Sequence, residues 1–188
     1  MLTTKPATHK LRCQQVPIQS YLSKIISGGQ TGVDRAALDF AIAYGIPHGG
    51  WCPHGRLAED GIIPPRYNLT ETPTPDPAQR TEWNVRDSDA TLILSLSPTL
   101  QGGSAQTRAF AEQTTKPWLH LSWIDREHAE ARLLLFLVQN SIRILNVAGS
   151  RLSEEPAVYQ FATDTLHASS SRKHQCDHSR NRHKSTRQ

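Results

Sequence analysis

The chain has 188 residues and a formal net charge of +4 at pH 7, and this length suits one domain with loose ends. Six basic residues against the single acid Asp177 give residues 170–188 a charge of +5, which leaves −1 for the rest of the chain. The basic balance therefore belongs to the tail, and we expect no specific nucleic-acid partner. No apolar run reaches the length of about 18 residues that a membrane span needs.

Both ends lack the apolar residues that a packed core requires. We predict a disordered or extended segment over residues 1–22, a folded domain over residues 23–167 and a disordered basic tail over residues 168–188. The first segment has no continuous apolar stretch typical of a secretory signal. The three cysteines are scattered along the sequence, which suits a reducing compartment. We therefore expect a cytoplasmic protein.

Between these ends, short apolar stretches alternate with stretches of helical periodicity. In chain order, the pattern predicts a strand at residues 24–27, a helix at 33–44, a strand at 46–51, a helix at 81–86, a strand at 91–97, a helix at 104–114, a strand at 117–123, a helix at 125–141, a strand at 143–147 and a helix at 154–166. This alternation predicts a doubly wound α/β domain with a mostly parallel sheet of five or more strands. In such sheets a ligand lies at the carboxyl ends of the strands.

The loop after the first predicted strand opens a helix. It contains the candidate binding residues Gly28, Gly29, Gln30, Thr31, Gly32, Asp34 and Arg35. Glycines allow the backbone to approach a ligand, and the free N–H groups at a helix N-terminus favour an anion. The Thr31 hydroxyl and the Arg35 guanidinium could each bind a phosphate. The alternative is a glycine-rich turn that only packs the helix on the strand.

The loop after the third predicted strand repeats this arrangement. Gly102 and Gly103 precede Ser104 at the start of a predicted helix, and Thr107 lies one turn further on. The two loops could hold two anionic groups, or one group from both sides, provided that the first and third strands are neighbours in the sheet. We therefore expect a small anionic ligand.

Polar residues also follow the second predicted strand. Arg56 could reach an anion, and Glu59 or Asp60 could accept hydrogen bonds from a sugar or a heterocycle. The alternative is a surface loop whose charges face water. Arg80 and Asn84 are four residues apart, so they share a helix face and could point into the same cleft, or they could belong to a plain surface helix.

The chain also resembles a known family. The stretches GGQTGVDRAALD, GGWCPHGRLAEDG, RTEWNVRDSDATLI, the QGGS–T loop and NVAGSR are similar to the molybdenum carrier proteins (molybdenum cofactor carrier family) over about residues 24–166. This family has a Rossmann-like fold related to the lysine-decarboxylase-like phosphoribohydrolases. The resemblance implies a non-catalytic homodimer or homotetramer that binds molybdenum cofactor, a molybdopterin with a terminal phosphate. It also implies that the protein shields the cofactor and passes it to apo-molybdoenzymes or receives it from cofactor biosynthesis enzymes.

The sequence departs from its relatives at two places. The phosphoribohydrolases carry P-G-G-x-G-T-x-x-E, whereas residues 100–108 lack the glutamate, which argues against N-glycosidase activity. Ser150 and Leu152 interrupt the closing motif of the family, so we assign no role to Arg151 from sequence. The competing hypothesis is an enzyme or sensor that acts on a nucleotide or ribosyl phosphate, with Glu59 or Asp60 as general base.

Overall fold

The computed structural model describes residues 17–169, in which five parallel strands form a central sheet. In chain order the strands are β1 (Lys24–Ile26), β2 (His48–Gly49), β3 (Trp51–Cys52), β4 (Leu57–Ala58), β5 (Gly61–Ile62), β6 (Thr70–Glu71), β7 (Ala90–Ser95), β8 (Trp118–Ser122) and β9 (Ile144–Gly149). The helices are α1 (Val33–Ala43), α2 (Pro77–Arg86), α3 (Gly102–Gln113), α4 (Ala129–Gln139) and α5 (Val158–Ala168). The Rossmann-like α/β fold predicted from the sequence is therefore confirmed.

The strand order of the main sheet is β2-β1-β9-β7-β8, and every pairing is parallel. The first and third predicted strands are not neighbours, because β9 lies between β1 and β7, so the condition that we set for the two loops to act together is not met in that form. The central position suits β9, since Leu145 and Val147 are fully buried and strands buried on both faces of a parallel sheet read as apolar runs.

Helices cover both faces of this sheet. Apolar side chains of α1, α4 and α5 pack on one face, against alternate residues of the strands such as Leu92, Leu94 and Leu121. Helices α2 and α3 pack against each other, and α3 contacts β7 and β9. All six residues of β7 are buried, which agrees with a strand covered on both sides.

The connection from β2 to α2 forms a smaller layer of its own. The predicted strand at residues 46–51 is two short strands, because the chain leaves the main sheet after Gly49 and β3 pairs with β6 instead. Strands β4 and β5 form an antiparallel hairpin. A second apolar cluster, centred on Tyr67 and Ile63, lies beneath this layer and also buries the Cys52 thiol.

The packed domain starts before the predicted boundary at residue 23. Ile18 begins a 3-10 turn, is fully buried in the main core and donates its N–H to the Ser169 carbonyl at 3.0 Å. The domain therefore includes residues 18–22, assigned from sequence to the N-terminal segment, and residues 168 and 169, assigned to the tail. The remaining predictions for residues 1–16 and 170–188 fall outside the described residues. Within residues 17–169, no helix combines the length and apolarity needed to cross a membrane.

Candidate functional site

A cleft opens where β1 and β9 end, beside the first turn of α3. Its inner part has a cavity volume of about 30 Å³ and is lined by the loop after β1, one face of α2, the start of α3 and the end of β9 with the turn that follows it. Six of the candidate residues in the two glycine-rich loops line this part: Gly28, Gln30, Asp34, Gly103, Ser104 and Thr107. The two predicted glycine-rich loops therefore meet at one cleft, although β9 separates their strands.

A buried ion pair forms one wall of the inner cleft. The Asp34 carboxylate accepts hydrogen bonds from Arg80 Nη1 at 3.0 Å and from the Gln30 N–H at 3.2 Å. Burial raises the pKa of Asp34, while the Arg80 guanidinium acts in the opposite direction. The Nε of Arg80 is buried and has no hydrogen-bond partner among the described residues. Asp34 thus orients Arg80 without using all of its donors.

The first turn of α3 presents further donors to the inner cleft. Ser104 is only 5% exposed, and its hydroxyl makes no hydrogen bond within residues 17–169. A methyl group built on Gly103 would meet no atom within 4 Å, so the space in front of this turn is open. Thr107 donates its hydroxyl to the Gly103 carbonyl at 2.9 Å. Gly102 begins the helix but does not line the cleft. The Ser104 hydroxyl and the first N–H groups of α3 together suit an anion.

Arg151 is a cleft residue that the sequence analysis left unassigned. It lines both the inner cleft and the adjoining outer part, and its guanidinium has no hydrogen bond or ion pair within the described chain. Arg151 follows the end of β9. The sequence would have indicated it as a cleft residue only if the central position of β9 in the sheet could have been predicted. The sequence did suggest Arg80 and Asn84 as residues of one cleft, and both line it.

The N-terminus of α1 is not the open anion site that we predicted. The Val33 N–H donates to the Ser150 carbonyl at 3.3 Å, and the Thr31 N–H donates to the Gln30 side chain at 3.0 Å. Gly32 has a φ of 76°, and a Cβ at this position would lie 2.4 Å from the Ser150 carbonyl oxygen. This glycine therefore allows the loop to pack closely on the chain after β9. The N–H groups of Gln30, Thr31 and Val33 therefore all have acceptors within the protein itself.

Thr31 and Arg35 connect this loop to the β4–β5 hairpin instead of facing the cleft. The Thr31 hydroxyl donates to the Glu59 carboxylate and accepts from the Leu152 N–H at 3.2 Å. Arg35 donates to Asp60, with one of the two contacts at 2.7 Å, and to the Gly29 carbonyl at 3.3 Å. The position of these partners in space could not be read from the sequence.

The acidic residues of the hairpin are held by these contacts. Desolvation by itself would raise the pKa of Glu59. Hydrogen bonds from Ser153 and Thr31 outweigh this effect and hold that pKa below its usual value. The Arg35 guanidinium lowers the pKa of Asp60. Both candidate general bases are therefore ionised side chains engaged in packing contacts, and neither lines the inner cleft.

Arg56 also has a structural position. Its guanidinium donates to four backbone carbonyls at 3.0–3.1 Å, those of Ile63, Pro64, Tyr67 and Leu69. A guanidinium with its donors occupied in this way organises the loop at residues 63–69 and has little capacity for an external anion. The role of Arg56 as a ligand contact stays a prediction, and this geometry gives it no support.

The outer part of the cleft has a different chemistry. It shares Gly28, Gln30, Arg80 and Arg151 with the inner part. Its other walls are apolar and come from Pro53, Leu57, Ala58, Pro75 and Pro77. A ligand that reaches from one part to the other would therefore meet hydrogen-bond donors at its inner end and an apolar surface at its outer end.

An open parallel sheet with a polar cleft at the carboxyl ends of its central strands defines a Rossmann-like α/β domain. The model of the circularly permutated YpsA SLOG family matches residues 25–170, and the chain belongs to this family. It is similar to the crystal structure of a "Putative molybdenum carrier protein" from Syntrophus aciditrophicus SB, with 51% identity and a TM-score of 0.78. That match covers 80% of this chain and 96% of the other. The comparison with curated proteins found no match.

Proposed function

We propose that this protein binds molybdenum cofactor, in the form of molybdopterin phosphate, protects it and carries it in the cytoplasm to apo-molybdoenzymes. The observation that carries the proposal is the continuous cleft in which unpartnered donors at the inner end adjoin an apolar wall at the outer end. The 51% identical relative named as a molybdenum carrier supports the choice of ligand.

In this proposal the terminal phosphate binds at the inner end of the cleft. The Ser104 hydroxyl and the first N–H groups of α3 donate to the phosphate oxygens, and the helix dipole favours the negative charge. Arg151 supplies an unpaired guanidinium, whose fork of donors matches phosphate geometry. Arg80, held by Asp34, offers a further donor from the opposite wall.

The pterin then lies in the outer part of the cleft. Flat heterocycles gain free energy from contact with apolar side chains, and Pro53, Pro75 and Pro77 offer rigid surfaces of this kind. Gln30, which lines both parts, lies where the phosphate and the ring system would join. Enclosure between the β4–β5 hairpin and α2 would limit access of water and oxygen to the bound molecule.

Two substitutions test the phosphate contacts. Ser104→Ala removes one hydrogen bond to a charged group, and we expect a loss of about 10- to 150-fold in affinity for molybdopterin phosphate. Arg151→Met removes the unpaired charge and should weaken binding by a comparable factor. Anaerobic fluorescence titration measures both, and thermal melts should match the parent because neither side chain makes a bond within the described domain.

The matched control is Arg108→Met, which removes a half-exposed guanidinium of α3 that does not line the inner cleft. Its affinity should equal that of the parent. If Ser104→Ala and Arg151→Met also bind like the parent, the phosphate does not bind at this end of the cleft.

A second candidate is an enzyme or sensor for a nucleotide or ribosyl phosphate. It is favoured by the carboxylates of Asp34 and Glu154, which line the same cleft and could bind ribose hydroxyls. The molecule that copurifies with the protein separates the two candidates: pterin fluorescence with molybdenum supports the carrier, and adenine absorbance supports the alternative.

Light scattering of the same sample tests the homodimer or homotetramer that the resemblance implies.

A further inference from the structure

Glu154 places a carboxylate at the start of α3. The residue lies in the turn between β9 and α5 and lines the inner cleft. A methyl group built on Gly102 would meet Glu154 Oε1 at 3.9 Å, whereas the other oxygen accepts the Arg151 N–H at 3.2 Å. One carboxylate oxygen is thus directed towards the helix N-terminus and has no hydrogen bond within residues 17–169.

A carboxylate in this position interacts favourably with the positive end of the helix dipole. It therefore competes with an incoming anion for the positive end of the helix. A phosphate bound at the same turn would meet the negative charge of Glu154, an exposed side chain, and the two like charges repel each other.

Among the other charges that line the inner cleft, Arg151 is the one that opposes this repulsion. Asp34 and Arg80 neutralise each other in their ion pair at 3.0 Å. Arg151 and Glu154 remain as the charges that the ligand meets. An approaching anion is attracted by one and repelled by the other, so the net attraction for a small anion is weak.

We propose that Glu154 is a specificity-determining residue that excludes bare oxyanions from the cleft. Inorganic phosphate and sulfate gain too little to displace the carboxylate. A phosphorylated heterocycle displaces it, because contact of the ring with the apolar outer wall offsets the loss. The inference rests on the proposed use of the α3 N-terminus as the phosphate site. Its consequence is that inorganic phosphate in the surrounding medium does not fill the cleft and block binding of the cargo.

The test uses inorganic phosphate as the probe. Glu154→Gln keeps the size of the side chain and removes its charge, and we expect it to bind phosphate about tenfold more tightly than the parent. Glu154→Asp retracts the charge by one methylene and should give a smaller gain. Isothermal titration at constant ionic strength measures all three proteins. Glu112→Gln, the same change at the exposed far end of α3, should bind phosphate like the parent.

Two outcomes would overturn the inference. The first is a Glu154→Gln protein that binds phosphate no more tightly than the parent, and the second is an equal gain in Glu112→Gln, which would indicate a general charge effect. A parallel titration with a phosphorylated pterin keeps the two proposals distinguishable. Normal pterin phosphate binding without a gain in Glu154→Gln rejects only the role of Glu154. A gain in phosphate affinity without pterin phosphate binding rejects only the carrier function.

Discussion

The Thr31 hydroxyl connects two loops at the side of the cleft, through Glu59 and the Leu152 N–H. Thr31→Val keeps the shape of the side chain and removes both hydrogen bonds. We expect the free energy of unfolding to fall by about 1 kcal/mol, while ligand affinity changes less than threefold because the hydroxyl does not line the cleft. Urea unfolding and ligand titration measure the two effects.

Thr99→Val, at an exposed loop position, is the control and should behave like the parent in both assays. A large loss of affinity in Thr31→Val at unchanged stability would return the first glycine-rich loop to the ligand site. This outcome would also reject the assignment of Thr31 as a packing residue.

At the level of single residues, the sequence distinguishes kinds of side chain but not their partners. It identified Ser104 and Gly103 because a glycine pair and a hydroxyl before a helix have a local meaning. It selected Arg35 and Arg56 because a guanidinium is suited to bind an anion. Their actual acceptors, Asp60 and the carbonyls of residues 63–69, come from the folded hairpin layer and are not predictable from spacing.

One side chain completes the C-terminal end of α2. Lys116 Nζ donates to the carbonyls of Val85 at 3.1 Å and Ser88 at 2.6 Å, and also contacts the Arg86 carbonyl. Lys116→Met keeps the aliphatic part and removes three donors from carbonyls that end the helix. We expect the free energy of unfolding to fall by about 1–3 kcal/mol, measured by urea denaturation.

Arg108→Met is the control. It removes a half-exposed charge and should lower the free energy of unfolding by less than about 0.5 kcal/mol. Equal costs for the two variants would contradict the capping role.

At the level of elements, periodicity located the five main strands and the five helices. It did not resolve β3 to β6, because two-residue strands carry no periodic signal. The long helix predicted at residues 125–141 begins later, since Asp125 accepts two hydrogen bonds from Ser122 at 2.9 Å and ends a separate 3-10 turn. The order of the strands depends on contacts far apart in sequence, and this is why the position of β9 between β1 and β7 was not predicted.

Across the whole domain, Asp39 joins segments that are distant in the chain. Its carboxylate accepts the Tyr159 hydroxyl of α5 at 2.9 Å and the Tyr67 hydroxyl of the hairpin layer at 3.0 Å. Burial, followed by the hydrogen bond to Asp39, raises the pKa of Tyr159 from 10.0 to about 12. The folded protein therefore keeps this proton in an interval where the unfolded chain releases it. The resulting stability is complete below pH 10 and is lost as the pH rises towards 12.

We expect the free energy of unfolding of the parent to fall more steeply than that of Tyr159→Phe between pH 10 and 12. Urea titrations at a series of pH values on both proteins measure the two slopes. Parallel curves across this interval would show that Tyr159 does not contribute to the alkaline loss of stability.

The central position of β9 has a consequence for synthesis on the ribosome. The middle strand of the sheet is the last to be translated, since residues 144–149 pair with β1 on one side and β7 on the other. A nascent chain that has emerged only as far as β8 holds two unjoined halves, each with an unpaired strand edge. Such edges favour association with other chains. Completion of the sheet and formation of the cleft therefore coincide with the emergence of β9 and the turn that follows it, and a chain truncated before β9 lacks both.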